Sequence, residues 1–399
     1  MSRHPHIFPE TFTMKELLST SILALVCPVE LVEEVLEKTG KNSKRERLLP
    51  AIALVYFIMA LTLWREMPTE EVYRVIMEDL NYLDISSVGA QKICKASISQ
   101  ARTKLGSDVM HLLADEVLSP LASPSQPGAW FNGLRVMALD GTTLDLPDEN
   151  EIDKYFGRPS SRSGESAFPQ ARLLALLETG THAITGAEIG PYRTSEVKLA
   201  KRLLPDKLQS DMLVLADRNF YSYHLWNTSS EISNLLWRVK SNLILPVDKR
   251  LSDGSYFSKV YDSRNKINCV PIKVRVIEYT LIDSEDQNEI YRLLTTLFDH
   301  KISPAEDLAS LYHERWEAES CLGEVKIGQK GFSTLIRSKT PELIKQEIWG
   351  LLLTHFAIRS LMYKASRKKK LDTDELSFKN SVRIIKRKLP HIAAFPPFT

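Results

Sequence analysis

Two short apolar runs, "LRVMALDG" at 134–141 and "DMLVLADRNF" at 211–220, constrain this chain more than any other feature. Each ends on an aspartate, Asp140 in the first and Asp217 in the second, and each reads as a buried strand with a carboxylate where it stops. Between them lie "PQARLLALLET" and "HAITGAEIGPY", parted by Gly180 and Thr181, which read as a hairpin. A helix follows in "TSEVKLAKRLLPD", with Thr194 or Ser195 as its cap and Pro205 near its end. The ends of apolar strands are where carboxylates from distant parts of a chain are brought together.

The patterning changes along the chain and divides it. Residues 1–128 read as an all-helical N-terminal domain, with "TMKELLSTSILALV", "CPVELVEEVLEKTG" and "PTEEVYRVIMEDL" in succession. Residues 48–64, "LLPAIALVYFIMALTLW", imitate a membrane span, but the run is short, carries Pro50 in its first turn and has no second span; it reads as a buried bundle helix. The helix in "KASISQARTKLGSDV" projects Gln100, Arg102 and Lys104, and reads equally well as a DNA-reading helix or an exposed bundle helix. A Pro- and Ser-rich stretch at 119–130 reads as a linker. Residues 129–235 carry the two aspartate strands, 236–302 are mostly strand with a turn at Asp253-Gly254, and 303–399 return to helix. Ser303 with Pro304, and Thr340 with Pro341, mark two of those helix starts.

With 52 Lys+Arg against 50 Asp+Glu, the net charge of +2 neither demands nor excludes a nucleic-acid partner. Local patches decide. In "YKASRKKKLD" and "KNSVRIIKRK" basic residues greatly outnumber acidic ones, which favours DNA contact near the C-terminal end. The cysteines Cys27, Cys94, Cys269 and Cys321 are scattered, without zinc or disulfide spacing, and the N-terminus lacks a secretion-signal order, so the expected compartment is the cytoplasm.

The stretch "LYHERWEAESCLGEVK" at 311–326 holds four glutamates, and the helical repeat sorts them. Tyr312, Arg315, Glu319 and Lys326 fall on one narrow stripe, while Glu314, Glu317 and Glu324 fall opposite, as an ordinary solvated face. Taken alone, Arg315 and Glu319 are simply an i,i+4 ion pair. Together with Asp140 and Asp217, however, Glu319 completes a set of three carboxylates able to hold two divalent cations, with Mg²⁺ the natural choice for oxygen ligands. Cationic and phenolic groups beside them suit phosphodiester chemistry better than glycoside hydrolysis.

This arrangement resembles the DDE transposases of bacterial insertion sequences, in the fourth insertion-sequence family. Their signature of Tyr, Arg, Glu and Lys is matched by Tyr312, Arg315, Glu319 and Lys326, their first aspartate motif by "ALDGTTLDLPD", and their second by "LADRNFYS". "TLIRSKTPELIKQEIWGLLLTHFAIRSLM" and "LSFKNSVRIIKR" are similar to later parts of the family. The resemblance implies an α/β fold: an RNase H-like catalytic core interrupted by a β-rich insertion, with an all-helical N-terminal domain. It implies Asp140, Asp217 and Glu319 as catalytic metal ligands for two Mg²⁺ ions, with Mn²⁺ as a substitute. It also implies cut-and-paste transposition of double-stranded DNA through a hairpin, from terminal inverted repeats into target DNA, by a homodimer.

Other residues carry weaker expectations. Trp316, or Trp237 in the β-rich region, could stack on a flipped base, with ordinary packing the commoner role for each. Arg337 and Lys339 are candidates for backbone phosphate contact. Asp145 and Asp148 read as turn formers or caps. Asn219 stands where the family's second motif has glycine, and asparagine tolerates the left-handed backbone that glycine would supply. The short apolar end "HIAAFPPFT" leaves open a truncated DNA-binding relic, and a Mg²⁺-dependent nuclease on the same core is the enzymatic rival.

Overall fold

The computed structural model describes residues 22–42, 49–82, 93–161, 164–165, 168–262, 270–280, 290–329 and 336–388. The chain divides into two units: one holds Met1–Ser119, Leu144–Ala171 and Gly323–Thr399, the other Pro120–Thr143 and Arg172–Leu322.

The second unit carries most of a ten-stranded sheet. Its strands are β1 (Trp130–Phe131), β2 (Leu134–Asp145), β3 (Gln170–Glu178), β4 (Ala183–Pro191), β5 (Met212–Ala216), β6 (Asn234–Arg238), β7 (Lys249–Arg250), β8 (Tyr256–Val260), β9 (Ile272–Thr280) and β10 (Ile290–Thr295). The spatial order is β4-β3-β2-β5-β6-β10-β9-β8-β7, with β1 paired to β2. Both aspartate runs are strands, but the first does not stop at Asp140 as expected: β2 runs on to Asp145, whereas β5 ends at Ala216, one residue before Asp217. β2 and β5 pair in parallel, as do β5 and β6, and β3 and β4 form the expected hairpin across 179–182. β7 to β10 make no separate sheet, because β10 pairs antiparallel with β6 and continues the same one.

Uninterrupted apolar character in β5 follows from cover on both faces. Met212, Val214 and Ala216 pack with Leu199 and Leu203 of the helix Glu196–Lys207 and with Trp226 of Tyr223–Ser230. Leu213 and Leu215 pack with Leu308 and Tyr312 of the helix Ala305–Tyr312. Ser195 caps the first of these helices, its Oγ accepting from the Lys198 N–H at 3.3 Å.

Ser303, however, does not cap the helix Ala305–Tyr312. That role falls to Asp253, whose Oδ2 accepts from the Ala305 N–H at 3.0 Å. The fully buried Arg275 on β9 fixes this carboxylate, and donates further to Ser255 Oγ at 2.9 Å and to the carbonyls of Leu297 and Ser303 at 3.0 and 2.7 Å. The stretch expected as a linker begins at the division of the chain, and residues from Pro120 on are tied down within the second unit. The buried Glu178 carboxylate accepts from the Leu121 and Ala122 N–H groups at 3.0 and 2.8 Å and pairs with Arg135.

In the first unit the helix Ala51–Leu63 is buried on almost every side, as a bundle helix must be. It packs on the long helix Pro341–Lys369, and a Cβ at Gly350 would lie 2.9 Å from Ile58 Cγ2 and 3.0 Å from Ile58 O, so glycine permits the close crossing. Thr340 caps the long helix as expected, accepting from the Leu343 N–H. No helix among the described residues is long and apolar enough to cross a membrane. Arg102 does not project from the helix Lys95–Leu105 as expected. It is buried and donates to Gln346 Oε1 at 2.8 Å, Ser338 Oγ at 3.0 Å and the Leu343 carbonyl at 3.2 Å, while Gln100 and Lys104 stay exposed. The exposed Arg367, Lys368, Lys369 and Lys370, with Lys379, Arg383 and Arg387 of the helix Phe378–Lys388, form the basic end of this unit. The terminal "HIAAFPPFT" lies outside the described residues.

Candidate active site

The register of three strands builds one edge of the site. Leu139 on β2 pairs with Ala216 on β5, and Ala216 with Trp237 on β6, so Asp140, Asp217 and Arg238 stand one step further along, Asp217 and Arg238 at the C-terminal ends of β5 and β6 and Asp140 within β2. Neighbouring strands lie about 4.8 Å apart, which brings the two aspartates side by side. Side-chain alternation carries Asp140 to the face of Val136, and Asp217 to that of Leu213 and Leu215, the face covered by Leu308 and Tyr312. Arg238, with its guanidinium 3.8 Å from the Tyr291 ring centroid, brings a cation to the same edge. No motif had marked it; only the pairing of β5 with β6 reveals its level.

Burial pushes the Asp140 carboxyl up to about 6. The Gly141 N–H and Arg315 oppose that rise, while Glu319 and Asp217 add to it by like-charge repulsion. Asp140 therefore feels the charge of both other carboxylates. Asp217 is gripped locally: Oδ1 accepts from the Asn219 N–H at 2.7 Å and Oδ2 from Asn219 Nδ2 at 3.1 Å. Asn219 is not among the described residues with positive φ, so it does not copy a left-handed glycine. Glu196 is a further carboxylate that sequence reasoning missed. It packs against Gly141, where a Cβ would meet Glu196 Oε1 at 2.5 Å, and Arg172 Nη1 donates to that oxygen at 2.9 Å.

The segment bearing Glu319 is not one continuous α-helix. Ala305–Tyr312 is followed by a 3₁₀ turn, His313–Arg315, then α-helix Trp316–Gly323 and a π-helical stretch Glu324–Gln329. Such breaks occur where a helix is adjusted to a site. Tyr312 is buried, and its hydroxyl donates to the Ala216 carbonyl at 3.3 Å, tying this helix to the end of β5. Arg315 Nη2 donates to Glu319 Oε1 at 3.2 Å, so the simple ion pair does form. Burial opposes the charge on Arg315, but Tyr312, Asp140 and Glu319 outweigh it and hold the guanidinium charged. Its Nε is buried without an acceptor among the described residues.

The expected solvated face needs correction. Glu317 bonds to the buried His182, and Glu324 accepts from Arg359 Nε at 2.8 Å and meets His355 Nε2 at 3.0 Å. Both glutamates serve structural pairs. Trp316 is 55% exposed with the Arg315 guanidinium 5.2 Å from its ring, whereas Trp237 is fully buried on β6, edge-on to Trp226 at 5.4 Å. Trp237 is packing.

The remaining candidates lie in the first unit. Lys326 is half-buried on the π-helical stretch. Arg337 donates to the Trp64 and Met67 carbonyls at 3.4 and 2.8 Å and to Thr69 Oγ1 at 3.1 Å. Lys339 is exposed, with Nζ 2.6 Å from Glu149 Oε1. Asp145 accepts from Gln170 Nε2 at 2.8 Å and Asp148 pairs with Arg158 at 2.7 Å.

Three carboxylates of this kind, one of them raised chiefly by burial and further by the charge of the other two, are a donor set that fits hard divalent cations. Residues 17–115 match the family model described as insertion element 4 transposase N-terminal, and residues 132–357 match that of the transposase DDE domain. The chain is 27% identical over 373 residues to transposase InsG for insertion sequence element IS4 of Escherichia coli (strain K12), covering 92% of this chain and 82% of that protein. In structure it is similar to the piggyBac transposase, solved by cryo-electron microscopy in a synaptic complex with hairpin DNA, with a TM-score of 0.50 at 12% identity, covering 95% and 82% of the two chains. That likeness and the strand order give an RNase H-like core.

Proposed function

The chain belongs to the DDE transposases, with the N-terminal domain of the insertion element 4 type, and from that premise we propose that Asp140, Asp217 and Glu319 are its catalytic carboxylates in cutting an insertion element from DNA and joining it to a target. The observation that carries this reading is the level placement of Asp140 and Asp217 on adjacent parallel strands, with the charges of Glu319 and Arg315 felt at Asp140.

The three carboxylates would hold two Mg²⁺ ions, or Mn²⁺ in their place, which when bound supply a more acidic water and a counter-charge for the leaving oxygen. Arg315, half-buried and held charged, is suited to a phosphate oxygen. Tyr312 holds the end of β5 and lines the same place, and Lys326 supplies the motif's second cation. Arg238 adds positive charge beside Asp217. The exposed ring of Trp316 offers a stacking surface for a base displaced as a hairpin closes, a DNA form with which the piggyBac relative was captured. Lys339, rather than Arg337 with its internal acceptors, is the better placed contact for backbone phosphate. In this scheme water cleaves one strand at the terminal inverted repeat, and the freed 3′-hydroxyl closes a hairpin on the opposite strand. A second water opens the hairpin before the 3′-hydroxyl joins target DNA, within a dimer of the chain in the cytoplasm.

The test is cleavage of a supercoiled plasmid carrying the gene's own flanking ends, with and without Mg²⁺, read on a denaturing gel beside Asp217→Asn. Metal-dependent hairpin ends that vanish in the variant support the reading. Specific binding without cleavage would mark a DNA-binding relic, and cleavage without end specificity a plain nuclease.

A further inference from the structure

We propose that Asn219 is a positioning residue for metal binding, holding the Asp217 carboxylate in the orientation from which it takes its ion. The inference rests on the reading of Asp217 as a metal ligand and goes beyond it.

Asp217 sits at the mouth of a turn just past β5, where nothing in the strand ladder fixes its side chain. The terminal torsion of an aspartate is broad, so the carboxylate plane is free unless donors fix it. Asn219 supplies both donors: its N–H reaches Oδ1 at 2.7 Å and its Nδ2 reaches Oδ2 at 3.1 Å. The turn that carries it is itself anchored, because the Phe220 N–H donates to the Asp217 carbonyl at 3.2 Å and the Phe220 ring is fully buried. An ionised carboxylate has about four lone-pair sites, so two donors fix its plane and still leave lone pairs for an ion. A glycine at this position would keep only the backbone donor.

Packing does not account for the asparagine. Its side chain is exposed, and its backbone is not in the left-handed region. Its side chain bonds to Asp217, and partners of this kind typically set affinity by about 10–100-fold.

The experiment measures Mn²⁺ binding by the full chain on a DNA duplex, from the electron paramagnetic resonance of the free ion, for wild type, N219A, N219S and Asp217→Asn. The expected result is Mn²⁺ affinity weakened about 10–100-fold in N219A, partly restored in N219S through its shorter donor, with the melting temperature of the metal-free chain unchanged in both. Equal affinity in wild type and N219A would overturn the proposal, as would a loss explained by a fall in melting temperature. If wild type itself shows no Mn²⁺ site that Asp217→Asn removes, the carboxylate reading falls and the role of Asn219 falls with it.

Discussion

Asp140 and Asp217 stand level on neighbouring parallel strands, one residue beyond the paired Leu139 and Ala216. Burial makes Asp140 costly to ionise, and the repulsion of two acids so placed adds to that cost. Asp140→Asn should therefore abolish metal-dependent cleavage while raising the melting temperature of the metal-free protein, a trade seen where stability is given up for a site. Thermal unfolding beside plasmid cleavage checks both halves, and a lower melting temperature would show that the carboxylate is structurally required.

The same raised carboxyl sets a pH dependence. Its native value of about 6 lies above the ordinary carboxylate value of about 4. Its contribution to stability is thus fully present below the ordinary value and is lost as pH rises through 6. Metal binding needs the ionised form and runs the opposite way. The Mg²⁺ concentration for half-maximal cleavage should fall as pH rises through this window, and saturating Mg²⁺ should shift the acid limb downward. Titrations at several pH values check this; a pH-independent metal requirement would contradict it.

Gly141 has no room for a side chain, because a Cβ would meet Glu196 Oε1 at 2.5 Å and Cδ at 2.9 Å. Gly141→Ala should push Glu196 from Arg172 and disturb the backbone beside Asp140, at a cost of about 1–3 kcal/mol. Cleavage should fall with it. Adding Glu196→Ala, which clears the space, should recover stability; no recovery in the double variant would place the strain elsewhere.

In the helical unit Glu347 is buried, with Oε1 3.3 Å from Arg65 Nη2 and Oε2 accepting from the Ser338 N–H and Oγ at 3.0 and 2.6 Å. Burial alone would push its carboxyl up, but the charges of Arg65 and Arg102 and these donors hold it below the ordinary range. Its stability contribution is present above the ordinary carboxylate value and disappears as pH falls through the lower native one. Glu347→Gln removes the negative charge that faces Arg65 and Arg102 and should cost about 3–5 kcal/mol at neutral pH. Urea unfolding at neutral and acid pH measures the gap, which should narrow on acidification.

How far the sequence revealed all this depended on range. β2 and β5 were legible because both their faces are covered, leaving an unbroken apolar run that ends on an acid. Ser195 and Thr340 were legible because a cap acts on its own helix. What was hidden depends on partners far away in the chain. Asp253 caps the helix at Ala305 across three intervening strands, Glu317 finds His182, and Glu324 finds Arg359. A helical wheel could not anticipate the 3₁₀ turn at His313–Arg315 either. Arg238 became visible only through strand register, and the grip of Asn219 on Asp217 only through the two bonds it makes.

The most direct test of the central claim is to load the DNA-bound chain with Fe²⁺ in place of Mg²⁺ and let locally generated hydroxyl radical cut the backbone nearest the ion. Cuts clustered beside Asp140, Asp217 and Glu319, all lost together in Asp217→Asn, are the predicted result. Cuts elsewhere, or a pattern indifferent to that substitution, would contradict a single metal centre built by these three carboxylates.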